Sequence, residues 1–359
     1  MKLARYELYR YSLPFSRPLV LEGTVQRRRE SLLLRLSGDD GSEGWGEAAP
    51  LPGFSRESLD EAAEQLRRLA GSMVGREATD DWVDPHGEFV RELGRAAPSV
   101  RFGLELAVWN LWAAYSGRSL PQLVAPSPRT EVPVSGLLSG SPGEVLEEAR
   151  IMREAGYRSV KLKVGARTVP GDVGLVRALG EELGEGVSLR LDANRAWRYE
   201  EAAEFVCGTP RFEYVEEPLA DPARLPNLVR ELGVPVGLDE SLVAMDPEAL
   251  DQHHYARAFV LKPTLLGGIS QTLRVAERAR SLGVTPVVSS AYESGIGTAA
   301  LVALSAGIGD RTVATGLDTY RMVEGDVLET PLGLPAPSVD VREAAETSRK
   351  VDVSRLEIL

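Results

Sequence analysis

The sequence predicts an α/β protein in which a (β/α)₈-type barrel carries an α+β capping domain. Two observations lead to this prediction. Between about residues 131 and 320, eight short apolar runs alternate with helical patterns, and such consecutive βα units close into a parallel barrel. Before residue 125, several strand patterns are instead followed by two helical patterns. We therefore predict a capping domain at 1–125, completed by 320–359, and a catalytic barrel at 126–319.

The predicted capping domain begins with strands and continues with two helices. The strand patterns lie near 3–13, 24–36 and 44–48. The first helix covers 55–71, with Ser55 as its expected N-cap, because serine accepts hydrogen bonds from the free N–H groups of a first turn. The second helix covers 98–117. Large apolar residues recur in it at helical spacing and are expected in the core rather than in a binding site: Phe102, Leu106, Trp109 and Ala113.

The predicted barrel contains eight strands, each a short apolar run between turn signals. They cover 132–138, 159–164, 187–192, 212–217, 234–239, 258–262, 285–290 and 312–316. The helical runs between them include 141–156, 220–233 and 269–283. The last two end on glycine, as helix C-termini commonly do. No G-x-G-x-x-G motif follows the first strand, which argues against a dinucleotide-binding, doubly wound sheet.

Composition and charge exclude several functional classes. The 359 residues are 43% hydrophobic and 26% charged, as is typical of globular enzymes. The net charge of −12 argues against nucleic-acid or anionic-membrane partners. No apolar run reaches the ~18 residues of a membrane span, and residues 1–15 lack the apolar stretch of a signal peptide. We expect a cytoplasmic protein that acts on a small carboxylate. Whether it is a monomer or a homo-oligomer does not follow from the sequence.

The single cysteine, Cys207, excludes an intrachain disulfide and is expected to be a small buried hydrophobe. Lysine is also rare: five of the 41 basic residues are lysines, and Lys161, Lys163 and Lys262 lie in apolar strand patterns. Arginine stays protonated, whereas a buried lysine can release its proton near neutral pH. Lys161 and Lys163 are two residues apart, so both leave the same face of a strand. Two ammonium groups on a buried strand are costly, which indicates a chemical role.

Ionisable residues also end five successive strands, one per strand. In order they are Lys163, Asp192, Glu216, Asp239 and Lys262, at separations of 29, 24, 23 and 23 residues. In a parallel barrel these strand ends form one rim, where active sites lie. Lys163 and Lys262 are four strands apart in a ring of eight, so they should face each other with the three carboxylates between them. Glu217 is the alternative to Glu216 as a cation ligand, and Glu240 is expected to support a ligand or a lysine.

Carboxylate oxygens without nearby histidine or cysteine suit a hard cation, so we predict Mg²⁺, with Mn²⁺ as a possible substitute. The three histidines lie at none of these strand ends, which argues against zinc. Removing a proton α to a carboxylate creates an enediolate, whose charge a divalent cation can neutralise. A neutral lysine can act as the base. We predict that Lys163 transfers the proton and that the adjacent Lys161 favours its uncharged form.

The motifs KLK, LDAN, VEEP, LDES and LKPT follow one another across the predicted barrel. In order and spacing they resemble the enolase superfamily, in its muconate-lactonizing-enzyme-like branch. The resemblance implies that Asp192, Glu216 and Asp239 bind Mg²⁺. Asn194, which lies in the LDAN motif, and Glu240 are expected beside these ligands.

Other stretches resemble the members of this branch that dehydrate 2-succinyl-6-hydroxy-2,4-cyclohexadiene-1-carboxylate in menaquinone biosynthesis. They are GWGEAAPLPGFSRES, LRLDANRAW, LDESL, VLKPTLLGG and VVSSAYESGIG. The resemblance implies that Lys163 removes the α-proton and then protonates the departing hydroxyl on the same face. Lys262 would stay charged and stabilise the enediolate or the ring. The implied substrate contacts are Ser289, Ser290 and Gly316 near the succinyl arm, and Gly53, Phe54 and Ser55 in a closing loop.

Three alternatives to a dehydratase follow from the same residues. Lysines on opposite faces of a carbon acid also suit a racemase of N-succinylamino acids or an epimerase of dipeptides. An aldolase would use one lysine as a Schiff base without a metal, and a non-catalytic barrel would tolerate loss of Lys163. The RAW and PLPGFS stretches favour the dehydratase. The run Arg27–Arg29 is expected on a solvated surface rather than in a substrate clamp.

Overall fold

The computed structural model describes residues 1–21, 23–243, 245, 247–310 and 312–359. The strands β1 to β13 are Leu3–Leu21, Thr24–Gly38, Glu43–Ala48, Glu131–Pro133, Gly136–Leu138, Ser159–Lys163, Ser188–Asp192, Tyr214–Glu216, Val236–Leu238, Ala258–Leu261, Thr285–Val288, Ser338–Asp340 and Glu357–Ile358. The helices α1 to α12 are Leu59–Met73, Glu88–Glu92, Pro98–Tyr115, Leu120–Val124, Pro142–Glu154, Val169–Leu183, Tyr199–Gly208, Leu225–Leu232, Pro263–Leu266, Ile269–Ser281, Gly295–Ile308 and Val341–Thr347. Among the 3₁₀ helices are Glu240–Leu242 and Asp318–Met322.

The N-terminal region forms an antiparallel sheet that packs against α3. The strand order is β13, β1, β2, β3, and α3 lies across β2 and β3. The contact between α3 and β3 is so close that a Cβ at Gly46 would overlap the carbonyl oxygen of Gly103. The glycines of the GWGEA stretch therefore let the helix touch the backbone of the strand.

Two sequence predictions for this region have different outcomes. The N-cap prediction was wrong, because α1 begins after Ser58 and not after Ser55. The Ser58 hydroxyl accepts a hydrogen bond from the Glu61 N–H, and the Glu61 carboxylate accepts one from the Ser58 N–H, which is a capping box. Ser55 instead accepts a hydrogen bond from the Leu51 N–H at 2.9 Å. The core prediction for α3 is confirmed by four buried side chains: Phe102, Leu106, Trp109 and Ala113.

The barrel is a parallel sheet in which β5 to β11 each pair with the next strand in the chain. The sheet curls until residues 315–316 join its two edges: Thr315 bridges Val134, and Gly316 bridges Ser289. The predicted eighth strand is therefore reduced to two bridging residues, and the predicted first strand is divided into β4 and β5. The predicted fold class, a (β/α)₈-type barrel with an α+β capping domain, is confirmed.

The C-terminal tail contacts both parts of the molecule. Its strand β12 pairs with β4, beside the barrel, and its strand β13 pairs with β1 of the capping sheet. The boundaries at 125 and 320 stay predictions. In the part of the chain that the structure describes, no helix is both long and apolar enough to cross a membrane.

The prediction for Cys207 was wrong, because this side chain is exposed. Helix α7 buries Ala202 and Phe205, which lie three residues apart on one face. Cys207 follows two residues later and turns toward solvent, as the helical period requires. The Cys207 side chain therefore lies outside the hydrophobic core.

Candidate active site

A cavity opens at the C-terminal ends of the barrel strands, where the active sites of such barrels lie. Many of the predicted site residues line it: Lys161, Lys163, Asp192, Asn194, Glu216, Lys262, Ser289, Ser290, Gly316 and Phe54. Four others, Asp239, Glu240, Gly53 and Ser55, are not part of the lining. The structure thus collects most of the predicted residues from both domains around one space.

The strand register explains why these side chains meet. Lys163 of β6 pairs with Asp192 of β7, and Asp192 pairs with Glu216 of β8. One layer lower, Lys161 pairs with Arg190. Because alternate residues of barrel strands face inward, the two lysines project into the same interior at two depths.

Lys161 lies between two buried carboxylates. Its Nζ is 2.9 Å from Oδ2 of Asp192 and 2.5 Å from Oε2 of Glu216. Burial alone would lower the pKa of Lys161, but Asp192, Glu216 and Asp239 together raise it well above its ordinary value. In this arrangement Lys161 is an ammonium that bridges two acids from neighbouring strands. The effect of Lys161 in favouring the uncharged form of Lys163 stays a prediction.

The carboxylates are not fully compensated by these ammonium groups. Burial, together with Asp192 and Asp239, outweighs the lowering effect of Lys161, so that the pKa of Glu216 is raised to about 7. Burial would also raise the pKa of Asp192, but Lys161 and Lys163 lower it below its ordinary value. The buried carboxylates could therefore bind a further cation in addition to Lys161.

Lys262 reaches the same group of acids from the other side of the barrel. It directly follows β10, and its Nζ is 2.5 Å from Oδ2 of Asp239. Burial would lower the pKa of Lys262, but Asp239 raises it above its ordinary value. This pairing with Asp239 favours the ammonium form of Lys262, and its role during a reaction stays a prediction.

Lys163 differs from the other two lysines. Its side chain is exposed to the cavity. Among the residues that the structure describes, no carboxylate lies within 4.0 Å of its Nζ, in contrast to the paired Lys161 and Lys262. Lys163 is thus the lysine whose amine is open to a bound molecule.

The three predicted ligands do not form a ready cation cluster in this conformation. Within the described ranges, no group of three or more His, Cys, Asp or Glu side chains has the arrangement of a metal site. Asp192 and Glu216 meet at Lys161, whereas Asp239 is held by Lys262. The donors nevertheless suit a hard cation, since all are buried carboxylates. In this conformation the Lys161 ammonium provides the positive charge between Asp192 and Glu216.

Glu217 fixes the loop after β8 and does not line the cavity. Its Oε1 accepts hydrogen bonds from the N–H groups of Asp239, at 3.0 Å, and Ser241, at 2.8 Å. Its Oε2 accepts one from Nε of Arg195 at 3.1 Å. These contacts hold the backbone around Asp239, and they leave Glu216 as the acid of the pair that faces Lys161.

Asn194 and Glu240 form a bridge beside the carboxylates. The Asn194 amide donates to Oε1 of Glu240 at 2.9 Å, and its backbone N–H donates to Oδ1 of Asp192 at 3.1 Å. Burial raises the pKa of Glu240, and Asp239 and Asp192 add to the increase. The bridge places both residues beside Asp192, and their role in supporting a metal ligand stays a prediction.

The capping loop at 51–55 contributes to the cavity through selected side chains. The N–H groups of Phe54 and Ser55 both donate to the carbonyl oxygen of Leu51, and Gly53 adopts a φ of 89° that favours glycine. Leu51 and Phe54 line the cavity. Gly53 and Ser55 shape the turn and do not contact the space themselves.

Comparison with known proteins identifies the family. Residues 144–345 match the family model described as "Enolase C-terminal domain-like", and residues 3–111 match "MenC, N-terminal domain". The chain belongs to the enolase superfamily. It is a lyase-type enzyme of this superfamily, as the motifs at the strand ends had indicated.

Curated relatives in the superfamily align over almost the whole chain. A protein of Haemophilus influenzae named o-succinylbenzoate synthase is 32% identical over 342 residues, which are 94% of this chain and 96% of the relative. A protein of the same name from Pasteurella multocida is 30% identical over 348 residues, again 94% of this chain and 96% of the relative.

Solved structures of the superfamily share the fold. The muconate lactonizing enzyme of Pseudomonas fluorescens, complexed with muconolactone, has a TM-score of 0.86 at 25% identity and covers 99% of this chain and 98% of that one. The L-Ala-D/L-Glu epimerase of Bacillus subtilis has a TM-score of 0.83 at 24% identity and covers 95% of this chain and 96% of that one.

Sequence reasoning missed two arginines of this superfamily member. Arg190 lines the cavity one layer below Asp192 and donates to both carboxylate oxygens of Glu213. Its spacing of two residues from Asp192 was a signal that could have found it. Arg29 was predicted on a solvated surface, and this prediction was wrong: Arg29 is 2% exposed. Arg27 and Arg28 are exposed, as expected.

Proposed function

We propose that this enzyme catalyses the Mg²⁺-dependent syn dehydration of 2-succinyl-6-hydroxy-2,4-cyclohexadiene-1-carboxylate to 2-succinylbenzoate, in menaquinone biosynthesis. One observation carries the proposal. Lys163 and Lys262 line one cavity from β6 and from the end of β10, four strands apart, with buried carboxylates between them. The relatives named o-succinylbenzoate synthase, which align over 94% of the chain, support the choice of substrate.

Lys163 is the proposed base. Its amine is open to the cavity, so in its neutral form it can take the proton from the carbon next to the substrate carboxylate. The resulting ammonium then gives a proton to the departing hydroxyl on the same face. One hydrogen and one hydroxyl leave as water, and the ring becomes aromatic. A single residue on one side of the ring is sufficient for this sequence.

Lys262 is proposed to remain charged throughout the dehydration. Its ion pair with Asp239 holds the ammonium at the opposite side of the cavity from Lys163. From there it can stabilise the negative charge of the enediolate, because a fixed charge in a buried site needs no reorganisation when the reaction occurs. The raised pKa of Lys262 supports this role.

Asp192, Glu216 and Asp239 are the residues that would hold Mg²⁺, or Mn²⁺ in its place. A bound divalent cation would neutralise the two carboxylate oxygens of the substrate as the enediolate forms. Asn194 and Glu240 would keep Asp192 oriented through the hydrogen bonds described above. Within the chain itself, Lys161 supplies the positive charge between Asp192 and Glu216.

The remaining lining supports a substrate with a ring and a flexible arm. A Cβ at Gly316 would overlap Oγ of Ser289, so glycine keeps this wall open beside Ser289 and Ser290. These residues are proposed to accommodate the succinyl arm. Phe54, from the capping loop, is proposed to close over the ring and exclude water.

The direct test is a dehydration assay that follows the absorbance of the aromatic product. We expect turnover that is lost in EDTA and restored by Mg²⁺ or Mn²⁺. A Lys163→Ala variant that folds and binds Mg²⁺ should show no turnover. No dehydration by the Mg²⁺-loaded wild-type enzyme would refute the proposal. Turnover that persists in EDTA, together with trapping by borohydride, would support Schiff-base chemistry instead.

A second candidate is racemisation of N-succinylamino acids or epimerisation of dipeptides, favoured by the two lysines on opposite sides of one cavity. This reaction needs both lysines to exchange protons, whereas the dehydration needs proton transfer only from Lys163. Lys262→Arg keeps the charge but removes a usable base, so it should retain part of the dehydration and abolish racemisation. If racemisation of N-succinylphenylalanine, followed in D₂O, were faster than dehydration, racemisation would become the first candidate for the function and dehydration the second.

A further inference from the structure

Tyr292 forms a wall of the cavity and has an unusual backbone conformation. It follows β11, lines the cavity with Lys161 and Lys262, and packs against the capping domain. Its ring meets that of Phe15 edge-on, with centroids 5.6 Å apart, and it belongs to an apolar cluster with Leu51. Its φ of 64° lies in the left-handed region, which a residue with a bulky side chain rarely adopts.

The contacts of Arg29 explain how this conformation is held. The guanidinium of Arg29 is buried, and all five of its N–H donors are used by backbone carbonyl oxygens. The acceptors are Tyr292 at 3.0 Å, Ala291 at 3.3 Å, Pro50 at 2.7 Å, Ala49 at 2.5 Å and Glu30 at 3.3 Å. One side chain therefore joins β2, the start of the capping loop and the backbone of Tyr292.

We propose that Arg29 is a positioning residue that fixes Tyr292 as a specificity-determining wall for ring-shaped substrates. Two carbonyl contacts hold residues 291 and 292, so the phenol ring is presented to the cavity in one orientation. A flat aromatic wall packs well against the diene face of the ring substrate, and an aliphatic N-succinylamino acid offers it no such face. The identity of the ring substrate rests on the proposed function, whereas the link between Arg29 and Tyr292 rests on the contacts alone.

The arrangement requires arginine. Lysine has three donors on a single nitrogen and cannot reproduce a planar fork with five. Arg35 provides a matched control, since it lies on the same face of β2 six residues later. Its guanidinium contacts Glu7 and Glu43 and no part of the cavity. Replacing Arg35 should therefore affect stability without affecting substrate selection.

The kinetic test compares Arg29→Lys, Arg29→Met and Arg35→Met on the cyclohexadiene substrate and on the acyclic N-succinylvaline. We expect both Arg29 variants to raise KM for the ring substrate by on the order of 10- to 100-fold, as small misplacements of substrate-positioning groups do, with Mg²⁺ affinity unchanged. Arg35→Met should leave KM unchanged. Tyr292→Leu should raise KM to the same extent, and combining it with Arg29→Met should add little. An unchanged KM in the Arg29 variants, or additive effects, would overturn the proposal.

The stability test needs no substrate. Glycine accepts a positive φ without strain, so Tyr292→Gly should remove the need for Arg29 to hold this conformation. We expect Arg29→Met to lower Tm by less in the Tyr292→Gly background than in wild type, and equal losses would overturn the proposal. If Arg29→Met does not fold, Arg29→Lys replaces it in the comparison. Absence of wild-type dehydration would refute the proposed function and leave this test valid.

Discussion

Replacing Lys161 by methionine tests the charge balance among the buried acids. In the absence of metal, Lys161 is the ammonium that bridges Asp192 and Glu216, whose side chains are 5% and 2% exposed. Lys161→Met keeps an apolar stem of similar length and removes the charge. The two carboxylates then face each other without a cation, so the folded state should lose stability.

The structure indicates the size of the loss. Removing one partner of a buried ion pair costs about 3–5 kcal/mol. The Lys161 side chain is 18% exposed, so we expect the lower end of this range, about 3 kcal/mol near pH 8. The folded-state pKa of Glu216 is about 7, above its unfolded value, and the substitution should raise it further. Proton uptake by Glu216 then replaces part of the missing charge, and the loss should shrink as the pH falls toward 6.

The assay is urea unfolding of wild type and Lys161→Met in EDTA and in excess Mg²⁺, with the exposed Lys350→Met as control. A ligand at 100 times its Kd stabilises the folded state by about 2.7 kcal/mol. Mg²⁺ should stabilise Lys161→Met more than wild type, because no ammonium competes with it. A loss below about 1 kcal/mol in EDTA, or an equal loss with and without Mg²⁺, would refute the reasoning.

Four further predictions follow from the site and the fold. Lys163→Arg should reduce kcat by about 10²–10⁴-fold and change the free energy of unfolding by less than about 0.5 kcal/mol, because the side chain is exposed; retained turnover would contradict the role of base. The Kd for Mg²⁺, measured by calorimetry, should rise as the pH falls through about 7, where Glu216 takes up a proton; a flat profile would count against Glu216 as a ligand. Asp239→Asn should weaken Mg²⁺ binding in the same assay, and an unchanged Mg²⁺ dependence would remove Asp239 from the ligand set. Ser58→Ala should lower the free energy of unfolding by about 1 kcal/mol, with no effect expected on KM.

The strand ends could be read from the sequence because their geometry is repetitive. Each βα unit returns the chain to the same rim, so a spacing of 23 to 29 residues was sufficient to place Lys163, Asp192, Glu216 and Lys262 around one cavity. The ion pairs could not be read in this way. Lys161 lies one layer below Asp192 and reaches upward to it, which depends on side-chain conformation and not on spacing.

Contacts between distant segments were the main source of error. Arg29 is buried because β2 packs beside residues 291–292, about 260 positions later in the chain, and no local pattern reveals this. The N-cap error was avoidable: Glu61 follows Ser58 by three residues, which is the spacing of a capping box, whereas Ser55 has no acidic residue at that distance.

The closure of the barrel at Thr315 and Gly316 divides the ring into two sectors with different tolerance to change. Strands β6 to β10 form a continuous ladder, and Lys161, Lys163 and the predicted ligands lie on these strands or directly after them, as does Lys262. Between β11 and β5 the backbone is joined by the bridges of Thr315 and Gly316, so this seam lies apart from the residues predicted to transfer protons. If the succinyl arm lies here as proposed, substitutions of Ser289 or Gly316 should change the space for the arm while the proton-transferring groups on the ladder keep their spacing.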